Sequence, residues 1–279
     1  MNLLPILYAL GALGVMGLLF GAVLALVGKK FAVEVDERVT RVREHLGGAN
    51  CGACGFAGCD AFAAAVVKGE AKPNACTPGG TKTARAIGEI MGVAVEDMEP
   101  MVARVRCSGT CENASVRYHY EGLNSCRAAH GMAGGPKQCE FGCIGLGDCL
   151  SRCKFDAIRI KDGTAAIDPI KCTGCGVCQD TCPRSIIHLM PRSQTIVVAC
   201  RNKAIGKVAR LQCKTACVGC KRCEKQCPSD SIHVVDGVAE INEQTCTRCG
   251  ACVEACPMHC IINLYDRDER IFHHTLKKA

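Results

Sequence analysis

Three stretches of the chain share one cysteine pattern, C-x2-C-x2-C-x3-C-P. It runs through Cys172, Cys175, Cys178, Cys182 and Pro183, through Cys217, Cys220, Cys223, Cys227 and Pro228, and through Cys246, Cys249, Cys252, Cys256 and Pro257. Three thiolates this close in sequence wrap one corner-set of a [4Fe–4S] cube, and the fourth reaches a second cube. The crossing predicts that Cys217, Cys220 and Cys223 take Cys256, that Cys246, Cys249 and Cys252 take Cys227, and that Cys172, Cys175 and Cys178 take Cys153. A fourth set, Cys139, Cys143 and Cys149 with Cys182, is expected from a less regular run with x3, x5 and x3 spacings and Lys154 in place of Pro. Zinc sites usually combine two thiolates, a long spacer and two more ligands, which these runs do not follow.

A different group, Cys51, Cys54, Cys59 and Cys76, is spaced C-x2-C-x4-C-x16-C. Gly52, Gly55 and Gly58 let the backbone approach a cluster and donate N–H groups to sulfur. Zinc competes for this group on spacing. Six cysteines remain: Cys107, Cys111, Cys126, Cys200, Cys213 and Cys260. Cys107, Cys111 and Cys126 lie close together and could hold a sixth centre with Cys200 or Cys213; the competing expectation is that these thiols simply pack. Cys260 follows a completed run and is expected to pack. The count is therefore five [4Fe–4S] clusters, with a sixth left open.

These ligands need elements to hold them. Leu3 to Val27 is apolar or small without a charge, long enough for a transmembrane helix. A signal peptide would want a basic leader, a shorter apolar core and a cleavage site. Lys29 and Lys30 follow at once, so the remainder of the chain is expected on the cytoplasmic side of the inner membrane, in single-pass topology. That reducing compartment argues against disulfides, although the chain carries 26 Cys in 279 residues. Gly14, Gly17 and Gly21 would let a partner helix approach. Val35, Val39, Val42 and Leu46 repeat at helical spacing, with Glu34, Asp36, Glu37, Arg38 and Arg41 on other faces. Further helices are expected over Asp60 to Val67 and Thr83 to Met91. Aromatics make up 4% of the chain and Trp is absent, so bound metal would supply folding free energy that thin cores do not.

The second half repeats internally. Cys153 to Pro183 and Cys227 to Pro257 each place 18 residues between cysteine runs, with Asp162-Gly163 and Asp236-Gly237 as hairpin turns between β-prone stretches. The fold class is thus α+β, with a single N-terminal transmembrane helix, a small mostly helical 4Fe-4S domain and two ferredoxin-like α+β units. The expected boundaries are an anchor at 1–28, a four-cysteine domain at 29–100 and a cysteine-bearing linker at 101–137. A first ferredoxin-like pair follows at 138–192, a basic connector at 193–215, a second pair at 216–265 and a charged tail at 266–279.

No glycine-rich dinucleotide fingerprint or phosphate loop is present, so neither flavin nor NAD is expected on this chain. The histidines are scattered, His273-His274 are expected to be solvated, and no nucleophilic triad stands out. The formal charge of +7 falls to about −3 once five clusters at about −2 each are counted. Arg201, Lys203, Lys207, Arg210, Lys214, Lys221, Arg222 and Lys225 stand against a single acid, Glu224, and could steer an acidic electron donor or merely offset cluster charge. Nucleic-acid binding is a poor fit, since no reading motif or interleaved aromatics accompany them.

The apolar N-terminus, CGACGFAGCDAFA followed by ACTPGG, and the trailing cysteine runs resemble the B subunit of the Rnf complex over the whole chain, in its longer form with two ferredoxin-type pairs. Rnf is a membrane ferredoxin:NAD oxidoreductase coupled to sodium or proton translocation. The resemblance implies [4Fe–4S] at Cys51, Cys54, Cys59 and Cys76, reduced ferredoxin as electron donor, and integral membrane and NAD-binding subunits as partners. Two other readings compete: a polyferredoxin component of another membrane complex, such as one that reduces a redox-sensing regulator, and a zinc-binding scaffold.

Overall fold

The computed structural model describes residues 4–30 and 36–272. Helix α1 (Leu4–Lys30) has no acid in its first turn and Lys29 and Lys30 in its last. Leu10–Lys30 has a mean hydropathy of 2.4 and is wholly exposed. At 1.5 Å per residue the helix is about 40 Å long, enough to cross a bilayer. A Cβ on Gly14, Gly17 or Gly21 would meet no atom within 4 Å, so this face is free in the chain.

Glu34 and Val35 lie outside the described residues. The rest of the expected amphipathic helix forms α2 (Glu37–His45), whose N-terminus is capped by Asp36 accepting the Arg38 N–H at 2.9 Å. Val42 and Leu46 pack on Phe62, Ala63 and Val66 of α3 (Cys59–Val67) and Ile87 of α4 (Gly80–Met91). Both later helices match expectation to within a turn. Two 3-10 turns, Pro73–Ala75 and Thr77–Gly79, bracket Cys76 and bring it to the same core.

The remainder is built twice. The first repeat contains β1 (Met101–Val105), α5 (Cys126–Gly131), α6 (Asp148–Ser151), β2 (Ile158–Lys161), β3 (Thr164–Ile167), α7 (Val177–Thr181) and β4 (Ile187–Pro191). The second contains β5 (Ile196–Val198), α8 (Gly206–Gln212), α9 (Arg222–Gln226), β6 (Ile232–Val235), β7 (Val238–Ile241), α10 (Ala251–Ala255) and β8 (Ile261–Asn263). Each repeat has an inner hairpin (β2–β3, β6–β7) and an outer antiparallel pair that joins its first strand to its last (β1–β4, β5–β8). Asp162-Gly163 and Asp236-Gly237 turn the hairpins with positive φ at both positions, as expected from the sequence.

Two expected boundaries differ. The 101–137 stretch is not only a linker, since β1 pairs with β4 in the register Val105↔Ile187. The 193–215 stretch likewise begins with β5, paired with β8 in the register Val198↔Ile261. Each strand finds its partner at the far end of its repeat, so no local turn announces the pairing. The expected tail also begins as structure. Helix α11 (Leu264–Phe272) docks on β3 and β8 and buries Leu264 and Phe272. It is pinned by Asp268, 1% exposed, which pairs with Arg104 of β1, 3% exposed, at 3.0 Å. His273 and His274 lie outside the described residues.

Candidate iron–sulfur centres

The short helices α6, α7, α9 and α10 each carry a buried cysteine of a run: Cys149, Cys178, Cys223 and Cys252. The residue before each helix, Gly147, Gly176, Lys221 or Gly250, takes a left-handed conformation that lets the preceding loop curl around its sulfurs. Loop and scaffold come close. A Cβ on Gly174, between Cys172 and Cys175, would fall 2.3 Å from the Met101 carbonyl oxygen, so only glycine lets this loop lie on the start of β1.

Members of four of the expected groups lie together. Cys217, Cys220, Cys223 and Cys256 line a space of about 310 Å³. Burial raises the Cys178 thiol to about 12, with Cys172, Cys175 and Cys153 adding to the effect as neighbours. Cys252 rises to about 12 in the same way beside Cys246 and Cys227. Near the N-terminus Cys76 is raised by burial and by Cys54, Cys59 and Cys51. Cys249 and Cys220 are exposed.

The fourth crossed set is different. Cys143, Cys149 and Cys182 line a space of about 380 Å³, but their companion is Cys126, not Cys139. The repeat explains the substitution. Cys143, Cys149 and Cys153 correspond to Cys217, Cys223 and Cys227 at a constant offset of 74 residues, and the partner of Cys220 in that alignment is Leu146. Cys126 enters from helix α5, in a segment between Cys107 and Cys139 that is longer than its counterpart between Cys200 and Cys213. Asp148 anchors it, accepting the Ser125 hydroxyl at 3.0 Å and the amides of Cys126 and Arg127 at 2.9 and 3.0 Å. Spacing within the run could not reveal a ligand that arrives from outside it.

Cys139 lies instead with Cys107, Cys200 and Cys213 around a space of about 370 Å³ at the seam of the repeats. Cys111 is not among them; it is exposed beside the Asp162-Gly163 turn, its amide donating to the Asp162 carbonyl at 2.8 Å. Cys260 is buried 3.5 Å from the Cys256 sulfur. Either thiol can donate in this contact, and it lowers the Cys256 thiol below its usual range.

The donor chemistry fits cubanes. Sulfur and mostly apolar side chains line these spaces, and backbone amides point at individual sulfurs: Ala103 at Cys172, Ala165 at Cys143 and Ser231 at Cys227, all within 3.4 Å. Burial raises Cys143, Cys149 and Cys200 to about 12 each, and a cationic group bound beside them would favour their thiolates.

The groups form a sequence in space. Cys51 faces Cys175 across one groove. Cys178 and Cys182 both bear on Cys149. At the far end Cys223 and Cys227 bear on Cys252.

Comparison with known proteins agrees. A family model for an Fe-S cluster matches residues 46–78, and models for a 4Fe-4S dicluster domain match 141–186, 171–231 and 209–257. The chain is 49% identical to the B subunit of the Na(+)-translocating ferredoxin:NAD(+) oxidoreductase complex of Acetobacterium woodii, over 92% of this chain and 77% of that one. It is 39% identical to the proton-translocating counterpart of Clostridium ljungdahlii over 87% of each chain. It is 37% identical to the B subunit of the ion-translocating oxidoreductase complex of Methanosarcina acetivorans, over 91% and 96%. On thiol chemistry, repeat architecture and this similarity together, the chain belongs to the B-subunit family of the ion-translocating Rnf oxidoreductase complexes.

Proposed function

We propose that this chain accepts electrons from reduced ferredoxin and relays them to membrane partners of an ion-translocating ferredoxin:NAD oxidoreductase. The observation that carries this reading is the layout of the cysteine groups. One end, at Cys51, Cys54, Cys59 and Cys76, follows helix α1 closely in the chain; the other exposes Cys220 and Cys249. When bound, [4Fe–4S] clusters supply one-electron oxidation and reduction at each position.

The residues in hand would hold them as follows. Cys51, Cys54, Cys59 and Cys76 form the centre of the N-terminal domain. Cys153, Cys172, Cys175 and Cys178 form one centre of the first repeat, and Cys126, Cys143, Cys149 and Cys182 the other. The second repeat supplies Cys217, Cys220, Cys223 and Cys256, then Cys227, Cys246, Cys249 and Cys252, and the sixth centre left open by the sequence would take Cys107, Cys139, Cys200 and Cys213 at the seam of the repeats. Helix α1 anchors the chain as a single pass, with Lys29 and Lys30 favouring a cytoplasmic position for the repeats. NAD reduction is assigned to a separate subunit.

Exposed Cys220 is flanked by exposed Lys221 and Arg222, and helix α8 nearby presents Lys207 and Arg210 beside exposed Ile205, Val208 and Leu211. A basic surface with an apolar centre suits a small acidic ferredoxin. Mixing the anaerobic holoprotein with reduced ferredoxin should bleach its brown absorption within the mixing experiment. Bleaching by dithionite but not by ferredoxin would overturn the reading.

A further inference from the structure

The two repeats fill one wall position of their cysteine-lined spaces differently. At the same 74-residue offset, Cys260 of the second repeat corresponds to Ile186 of the first. Both follow the same turn. The His259 amide donates to the Cys256 carbonyl at 3.2 Å and the Ser185 amide to the Cys182 carbonyl at 3.1 Å, with positive φ at His259 and Ser185. Both are then fixed by the outer strand pair: the Cys260 carbonyl accepts the Ala199 amide at 2.7 Å, and the Ile186 carbonyl accepts the Arg106 amide at 2.8 Å. The backbone therefore brings the two side chains to equivalent places. Ile186 lines the space shared by Cys143, Cys149 and Cys182, and Cys260 the space shared by Cys217, Cys220, Cys223 and Cys256.

Both side chains are buried, with Cys260 2% and Ile186 1% exposed. A buried thiol can simply pack. Packing alone is served in the first repeat by isoleucine, which fills the position with apolar volume. Cysteine instead sets a sulfur 3.5 Å from the Cys256 sulfur, within hydrogen-bond reach of a thiol. An iron-bound Cys256 is a thiolate without a proton, so the hydrogen in that contact is then the one on Cys260. A thiol in apolar surroundings keeps its proton at neutral pH. Isoleucine offers no donor at all.

We infer that Cys260 is a positioning residue for electron transfer, its S–H donating to the Cys256 sulfur and raising the reduction potential of the centre held by Cys217, Cys220, Cys223 and Cys256. A reduced cubane carries one more negative charge than an oxidised one, so a hydrogen bond to a ligand sulfur stabilises the reduced form more. The first repeat lacks this increment, because Ile186 stands where the donor would be. The effect falls on the centre whose Cys220 is exposed, the end of the relay open to an outside donor. The inference rests on the cubane reading of that cysteine group and not on the identity of the electron donor.

The test is a redox titration of the full-length chain, purified anaerobically and followed by EPR, with iron counted alongside. The signal of this centre is the one that Cys220→Ala removes or converts to a three-iron form. In Cys260→Ala the reduced-to-oxidised ratio of that signal at the original midpoint should fall about three- to tenfold, about 30 to 60 mV for a one-electron couple. Iron content and the other signals should stay as they are. Cys260→Ser keeps a donor and should hold the midpoint near its original value. An unmoved midpoint in Cys260→Ala would overturn the inference, as would a fall in Cys260→Ser equal to that in Cys260→Ala. Loss of iron from Cys260→Ala would also overturn it, by giving this cysteine a part in holding the iron itself. Absence of any signal that Cys220→Ala alters would sink the cubane reading of this group, and the inference with it.

Discussion

The Cys143 amide donates to the Cys107 sulfur at 3.3 Å across 36 residues of chain. One hydrogen bond thus ties the ligand loop of the first ferredoxin-type unit to a sulfur of the seam. The Cys217 amide makes the same bond to Cys200 on the other side. Neighbouring centres are joined through backbone, so their spacing is set by short, stiff connections.

Lys137 fixes a positive charge at the seam. Substitution Lys137→Met removes it and leaves the Gly109 and Gly163 carbonyls without their donor. Loss of a nearby cation destabilises the more negative, reduced cluster, so its midpoint potential should fall, by on the order of 50–100 mV. A redox titration followed by EPR would show one signal displaced and the others in place.

Cys126 stands in for the ligand that Leu146 does not provide. Cys126→Ala should cost the chain one intact cubane, seen as a drop of up to about four Fe or as a three-iron EPR signal. Adding Leu146→Cys restores the regular x2 spacing seen at Cys217, Cys220 and Cys223, and should restore the iron. No loss on Cys126→Ala would show that this cysteine only packs.

Arg104 and Asp268 form a buried ion pair that holds α11 against the first repeat. Asp268 also pairs with Arg267 at 3.0 Å, so Asp268→Asn removes the charge that two guanidiniums share and should destabilise the protein by about 3–5 kcal/mol in denaturant titration. Arg104→Met with Asp268→Leu should recover only part of that loss, since the apolar pair needs no desolvation of charge but Arg267 is left without its carboxylate.

Charge reversal on the exposed face, Lys221→Glu with Arg222→Glu, should slow reduction by ferredoxin about tenfold or more at low salt and flatten its salt dependence. Stopped-flow rates across a salt series measure both. An unchanged rate at low salt would reject docking at this face.

Much of this was legible in residues alone. The three regular runs and their crossed partners, the four-cysteine group near the N-terminus, the three helices around it and both Asp-Gly hairpins follow from spacing and turn chemistry. Three features did not. Strands β1 and β5 pair with segments at the far ends of their repeats, which a local pattern does not encode. The offset of the repeats puts Leu146 where Cys220 stands, but only the fold brings Cys126 from outside the run to that place. Cys139, close in sequence to Cys143, lies with Cys107 rather than with Cys143, Cys149 and Cys182. Ligand identity at the seam is therefore a property of how two repeats meet.

The central claim is that both repeats act as one continuous relay. Freeze-quench EPR after mixing the holoprotein with reduced ferredoxin tests it most directly. The signal of the Cys51, Cys54, Cys59 and Cys76 centre should appear rapidly in the unaltered chain and at least a hundredfold more slowly in Cys200→Ala/Cys213→Ala, while the centres of the second repeat are reduced at the original rate. Equal rates at the near-membrane centre in both proteins would contradict it.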